Sequence, residues 1–248
     1  MTVPVPTARA EEFGDLRRHR LRSWYFHLAR VILHSWLWLL TGFRVAGLRN
    51  VPSSGPLIVV ANHLHNLDPL VVAVAIPRPV HYMAKAELFR VPVLGRLIAF
   101  GGAFPIERGQ ADRKAIRRAE TTLAQGIALG IFPEGTRSTT GAMTPPLAGA
   151  ALIALRTGAP VLPVAVIGTE FLPLNGSKAP KRRFRRAVRV TIGEPFVIPR
   201  TFDGQRLTSD GATDVMMTAV ARLLPEAYRG VYAGVVDGRS EIVRPDTP

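Results

Sequence analysis

The chain has no cysteine among its 248 residues. A thiol nucleophile, a Cys-ligated metal and a disulfide framework are therefore excluded, and the composition fits a reducing compartment. Acidic residues are few, 18 Asp and Glu against 32 Lys and Arg, a formal charge of +14. Such a surface concentrates anionic partners: nucleic acid, phospholipid headgroups or a phosphorylated substrate. Also missing are a Gly-x-Ser-x-Gly nucleophile elbow, a Gly-x-Gly-x-x-Gly loop and a Walker loop. No secretory leader is expected, because the first apolar run begins at Trp24 and no small-residue cleavage site follows it.

What the chain does have is apolar surface, 47% of its residues, enough for one α/β domain with a full core. Strands are predicted at residues 43–46, 57–61, 81–84, 103–106, 127–132, 161–167 and 188–192. Helices are predicted at 69–75, 91–99, 113–125, 147–157 and 214–228. Alternating strands and helices predict an α/β fold: a mixed, mainly parallel central sheet flanked by helices. Residues 43–248 form this domain, and residues 1–42 a tail and an N-terminal helix.

In that helix the polar residues Arg20, Ser23, His27, Arg30, His34 and Thr41 are spaced 3, 4, 3, 4 and 7 apart. They make one narrow stripe on an otherwise apolar surface that also carries Trp24, Trp36 and Trp38. A core-packing helix and a membrane span are the competing readings. Spanning would place Arg30 mid-bilayer at a cost of about 2.5–3.5 kcal/mol. The expectation is an amphipathic helix in the membrane interface, with the basic collar from Arg17 to Arg22 on anionic lipid.

The chain is organised around residues 57–69. Leu57–Ala61 reads as a buried strand, and Asp68-Pro69 as a helix start with Asp68 at the cap. The turn between them carries His63, with Asp68 five residues on. A His whose second ring nitrogen is held by a carboxylate is a general base in a fixed tautomer. Two other readings stand beside this one: a plain helix cap with a polar turn, and a metal site from His63, His65 and Asp68. The latter needs further ligands, and the remaining histidines are only His19, His27, His34 and His81.

Two more turns at predicted strand ends carry cations. One is Ile106-Glu107-Arg108. The other is Phe132-Pro133-Glu134-Gly135-Thr136-Arg137-Ser138, where Gly lets the backbone turn closely. Arg holds phosphate through paired charge-assisted bonds; a solvated surface charge, or a Glu134–Arg137 ion pair, is the plainer alternative. With no cysteine and no placed Ser nucleophile, one-step transfer assisted by His63 is simpler than a covalent intermediate.

The ordered blocks Asn62-His63-x4-Asp68, Gly102-x3-Ile106-x-Arg108, Pro133-Glu134-Gly135-Thr136-Arg137-Ser138 and Leu162-Pro163-Val164 resemble those of the glycerolipid acyltransferases. Within that superfamily the chain is most similar to the bacterial 1-acylglycerol-3-phosphate acyltransferases. The resemblance implies transfer of a fatty acyl group from acyl-CoA or acyl-carrier protein to a glycerolipid hydroxyl, with no cofactor and no metal. By the same resemblance, His63 is the general base and Asp68 orients it. Asn62, Arg108, Glu134, Gly135, Thr136 and Arg137 bind the acceptor, and Pro163 shapes the site. Backbone donors after Ala61 or after Pro133 would stabilise the oxyanion.

Two departures stand out: His65 replaces a frequent Ser, and Pro145-Pro146-Leu147-Ala148-Gly149 lacks a frequent Lys. Acceptors other than a lysophosphatidic acid, such as glycerol 3-phosphate, another lysophospholipid or a non-phosphorylated alcohol, are the alternative within the class. Finally, Lys181-Arg182-Arg183-Phe184-Arg185-Arg186 holds five cations in six residues. One interleaved aromatic is too few for a nucleic-acid platform, so an anionic membrane surface on the cytoplasmic face is the expected partner, and no nucleic acid.

Overall fold

The computed structural model describes residues 16–106, 112–147, 149–172, 187–199, 201–202 and 205–236; in the first helix, side chains are described from residue 27 onward. Seven strands form one sheet: β1 Arg44–Ala46, β2 Leu57–Ala61, β3 Val80–Lys85, β4 Phe104–Ile106, β5 Ala128–Ile131, β6 Val161–Ile167 and β7 Arg189–Ile192. Their order is β1-β7-β6-β2-β5-β3-β4. Strands β6, β2, β5, β3 and β4 run parallel; β7 is antiparallel to β6, and β1 parallel to β7. The sheet is thus mixed and mainly parallel, as expected.

Strand β2 is central and wholly buried, as a continuous apolar run in a covered sheet should be. Its alternate residues feed two cores. Leu57, Val59 and Ala61 pack with Val71, Val72 and Val74 of helix α2 (Asp68–Ala75). Ile58 and Val60 pack with Leu123 of α4 (Arg113–Ala124), Ile153 of α5 (Gly149–Thr157) and Met216 of α6 (Ser209–Arg222). Helix α3 (Leu94–Phe100) stands apart, between β3 and β4, after a 3-10 turn at Ala86–Arg90.

One helix expectation is corrected. The last predicted helix does not cover 214–228. It starts at Ser209, where the Thr208 side chain accepts from Gly211 N–H, and ends before Pro225, which lacks a donor and disfavours helix in the residue before it. In α1 (Leu16–Thr41) the polar stripe is split: His27 is exposed, while Arg30 and His34 turn inward. Arg30 Nε donates to the carbonyl of Val74 at 2.9 Å, and the His34 ring meets the edge of Phe43 at 5.2 Å. Leu33 and Leu37 pack on the core beside them. The apolar side points outward instead, with Trp36 and Trp38 about three-fifths exposed (58% and 61%). Arg20 and Ser23, on the same stripe, lie outside the described side chains. Among the described residues, no helix is long and apolar enough to cross a membrane.

Candidate active site

Parallel strands β2 and β5 are neighbours, with Val60 paired to Ile131. Their carboxyl ends therefore open on the same edge, about 4.8 Å apart. The turn after β2 carries His63, and the turn after β5 carries residues 132–138. Open α/β sheets place their ligands at such an edge.

Asp68 is not the cap of α2. Leu67 occupies that position without a side-chain bond, and Asp68 is the first helical residue. Its carboxylate reaches back into the turn. One oxygen, Oδ2, accepts from Leu64 N–H at 2.6 Å, His65 N–H at 2.6 Å and His63 Nδ1 at 2.9 Å. A carboxylate at a helix N-terminus gains from the positive end of the helix dipole, and the three donors fix it as the acceptor. The His63 proton is thereby assigned to Nδ1, and the Nε2 lone pair is left for a substrate proton. Asp68 is fully buried, while the His63 side chain keeps 12% exposure.

His65 folds the same turn. Its Nδ1 accepts from Leu67 N–H at 3.0 Å, an interaction from residue i to i+2 that a Ser hydroxyl also makes. That accounts for His at a position where the resemblance leads one to expect Ser. Among the described residues no three His, Asp or Glu side chains converge as metal ligands.

The second turn is stapled to the first. Glu134 Oε1 accepts from His63 N–H at 2.8 Å, and Ser138 N–H donates to the His63 carbonyl at 2.8 Å. Both sides of the His63 residue's backbone are held by residues 134–138. Glu134 Oε2 accepts from the N–H and hydroxyl of Thr144, each at 2.8 Å. Burial lifts the Glu134 carboxyl above its ordinary value, with those donors and His63 pulling the other way. Against the His63 ring, Phe132 lies at 4.4 Å and stacks at 6.1 Å on Tyr82. Gly135 has φ +66°, which a side chain rarely adopts, and a Cβ there would lie 2.6 Å from Leu147 Cδ1.

These contacts redistribute the roles the sequence suggested. Glu134 braces the two turns. Asn62 is 1% exposed, and its amide exchanges two 2.8 Å bonds with the N–H and carbonyl of Val166 on β6. It ties two strands together. Pro163 is buried within β6 beside Gly193, paired with Val60 of β2. The N–H groups of His63, Leu64, His65, Gly135 and Ser138 are all committed, which removes them as oxyanion donors. Thr136 is exposed and Arg137 partly so, on the free side of the second turn. Arg108 and the 181–186 cluster lie outside the described residues; β4, two positions before Arg108, ends on this same edge. The bracing by Ser138 and Thr144 had no sequence signal, since backbone bonds carry no side-chain signature.

A family profile, Acyltransferase, matches residues 42–167. The 1-acyl-sn-glycerol-3-phosphate acyltransferase of Bacillus subtilis is 33% identical over 157 residues, covering 62% of this chain and 74% of that protein. The chain belongs to the Acyltransferase family. Its fold is shared with the 1-acyl-sn-glycerophosphate acyltransferase PlsC of Thermotoga maritima, at a TM-score of 0.65 and 27% identity, covering 85% of this chain and 84% of that one. The chloroplastic 1-acyl-sn-glycerol-3-phosphate acyltransferase of Brassica napus is 33% identical over 139 residues, 54% of this chain. The chain spans 40% of the length of that relative and 43% of an Arabidopsis thaliana one. The family match covers β1 to β6 and both stapled turns, and leaves α1 outside.

Proposed function

We propose that the chain transfers a fatty acyl group from an acyl thioester to the free hydroxyl of a 1-acylglycerol 3-phosphate, giving phosphatidic acid. The observation that carries this reading is the His63–Asp68 pair, with Nδ1 bound at 2.9 Å to a buried carboxylate and Nε2 free at the sheet edge. Family membership and the names of the relatives narrow it to glycerolipid acceptors.

A hydroxyl is a poor nucleophile until a base takes its proton during attack. The acceptor oxygen attacks the thioester carbonyl carbon as its proton passes to His63 Nε2, and Asp68 stabilises the imidazolium. The tetrahedral adduct collapses by breaking the C–S bond, and the proton on His63 leaves with the thiolate as thiol. Arg137, with the exposed Thr136 and the close turn at Gly135, holds the acceptor phosphate; Arg108, two positions beyond β4, is assigned the same task by its motif. The donor is acyl-CoA or acyl-carrier protein. The enzyme works as a peripheral protein on the cytoplasmic face of the membrane, residues 1–42 forming the lipid-contacting segment and 43–248 the catalytic domain.

The test is a panel of acceptors, lysophosphatidic acid, glycerol 3-phosphate, a neutral lysophospholipid and monoacylglycerol, each offered with acyl-CoA and with acyl-carrier protein. Highest kcat/KM on lysophosphatidic acid is expected. Preference for an acceptor without a phosphomonoester would overturn the assignment.

A further inference from the structure

The edge that carries the catalytic turns is rimmed by exposed apolar side chains, and α1 supplies only part of the rim. Strand β1 begins at Arg44, which pairs with Arg189, itself opposite Ile167 at the carboxyl end of β6. The end of α1, with exposed Trp36 and Trp38, therefore lies at the catalytic edge. At the other side of that edge, the hairpin of the Ala86–Arg90 turn and α3 leaves the end of β3 and returns to β4. Val93, Leu97 and Phe100 are 77%, 65% and 69% exposed there. Val93 is also the one non-glycine residue with positive φ among the described residues, +66°. A strained turn thus presents a largely exposed apolar side chain. Between the two elements, Leu70 in the first turn of α2 and Leu147 against Gly135 continue the exposed apolar line past His63.

We infer that the 86–100 hairpin is a second bilayer contact, which with the end of α1 straddles the catalytic turns and presses that edge of the sheet onto an anionic phospholipid surface. This deepens, and rests on, the membrane reading proposed above. The partner is a bilayer because the apolar tips are flanked by exposed Arg90 and Arg96 on a chain of formal charge +14, the combination that suits anionic headgroups around a shallow apolar insertion. It is also continuous with outward tryptophans, which favour the headgroup level. Two contacts on opposite sides of His63 fix the tilt of the sheet, which one helix alone leaves free to rotate.

The absence of cysteine makes the test direct. Leu97→Cys in the full chain, labelled with an environment-sensitive dye, is mixed with vesicles of phosphatidylcholine doped with phosphatidylglycerol, and sedimentation is read on the same samples. Leu48→Cys, beyond the far end of β1 at the opposite sheet edge, is the control. The label at 97 should shift to the blue and become shielded from an aqueous quencher, and the label at 48 should not. Replacing Leu97 and Phe100 together by Ser should weaken vesicle binding by about tenfold or more. Sedimentation with an unchanged label at 97 overturns the second contact and leaves the membrane reading standing; failure to sediment overturns both. A shift that follows protein concentration without vesicles assigns the face to a second copy of the chain and overturns the bilayer as partner.

Discussion

Glu134→Gln separates a brace from a substrate contact. The carboxylate receives three donors: His63 N–H on one oxygen, Thr144 N–H and hydroxyl on the other. A Gln of the same shape has one acceptor oxygen and must aim its amide N–H₂ at either the His63 or the Thr144 backbone donor. In both orientations one buried N–H is stranded, at a cost of about 1–3 kcal/mol. For a chain of this size that lowers Tm by about 2–4 °C per kcal/mol. Releasing the His63 N–H also lets the base drift, and a displacement of about 1 Å costs about a hundredfold in rate. The variant should therefore unfold earlier and lose kcat more than acceptor KM, read by thermal denaturation and steady-state kinetics. Because burial lifts the Glu134 carboxyl, the folded state holds that proton more tightly than the unfolded chain. Its contribution to stability is full below the ordinary carboxylate range and is lost as pH rises through the lifted value; the Gln variant should lack this slope. Unchanged stability with a raised acceptor KM alone would refute the brace and return Glu134 to direct substrate contact.

His63→Ala should lower kcat by about 10²–10⁴-fold with an unaltered circular dichroism spectrum, since the ring is not needed for the backbone clamp. Asp68→Asn leaves an amide with no acceptor at the position of Oδ1, which has no hydrogen-bond partner among the described residues, or else aims it at the Nδ1 proton of His63; kcat should fall by at least about tenfold with acceptor KM little changed. Asn62→Ala strands the N–H and carbonyl of Val166; denaturant unfolding should show a loss of about 2–4 kcal/mol, with kcat per folded molecule near that of the parent. Arg137→Ala should reduce kcat/KM for a phosphate-bearing acceptor by about 10–100-fold and leave monoacylglycerol use nearly unchanged; equal losses on both acceptors would show that Arg137 holds no phosphate.

The strands were legible because a sheet covered on both faces is written as short, unbroken apolar runs; β2 and β6 begin and end where those runs do. Helix limits were less so. Pro225 terminates α6 where apolar spacing alone continues it, and the Thr208 cap lay ahead of the pattern. The order of the strands, with β7 reversed against β6, depends on pairings that no local signal records. At the site, His63 and Asp68 were legible as a pair because their spacing bridges a strand end and a helix start. The roles of Asn62 and Glu134 were not. Both are polar residues spent on backbone groups of distant segments, 104 and 71 residues away, and sequence shows the polar residue without its partner.

This difference bears on why the two turn motifs are specific only as a pair. The His63 ring, the proposed base, is held by Asp68, but its backbone is held by residues 134 and 138, one on the N–H and one on the carbonyl. Arg137 lies between those two anchors in the chain. Whatever fixes the backbone of the base therefore also fixes the cation proposed to hold the phosphate. In a 1-acylglycerol 3-phosphate, the distance from phosphate to free hydroxyl is set by the glycerol backbone, so an enzyme selecting it must keep base and cation at one separation. A flexible loop would spend binding energy on ordering that separation at each turnover. On the proposed function, the clamp from 134–138 onto His63 removes that cost in advance, and acceptor selection is tied to a backbone contact that does not touch the substrate.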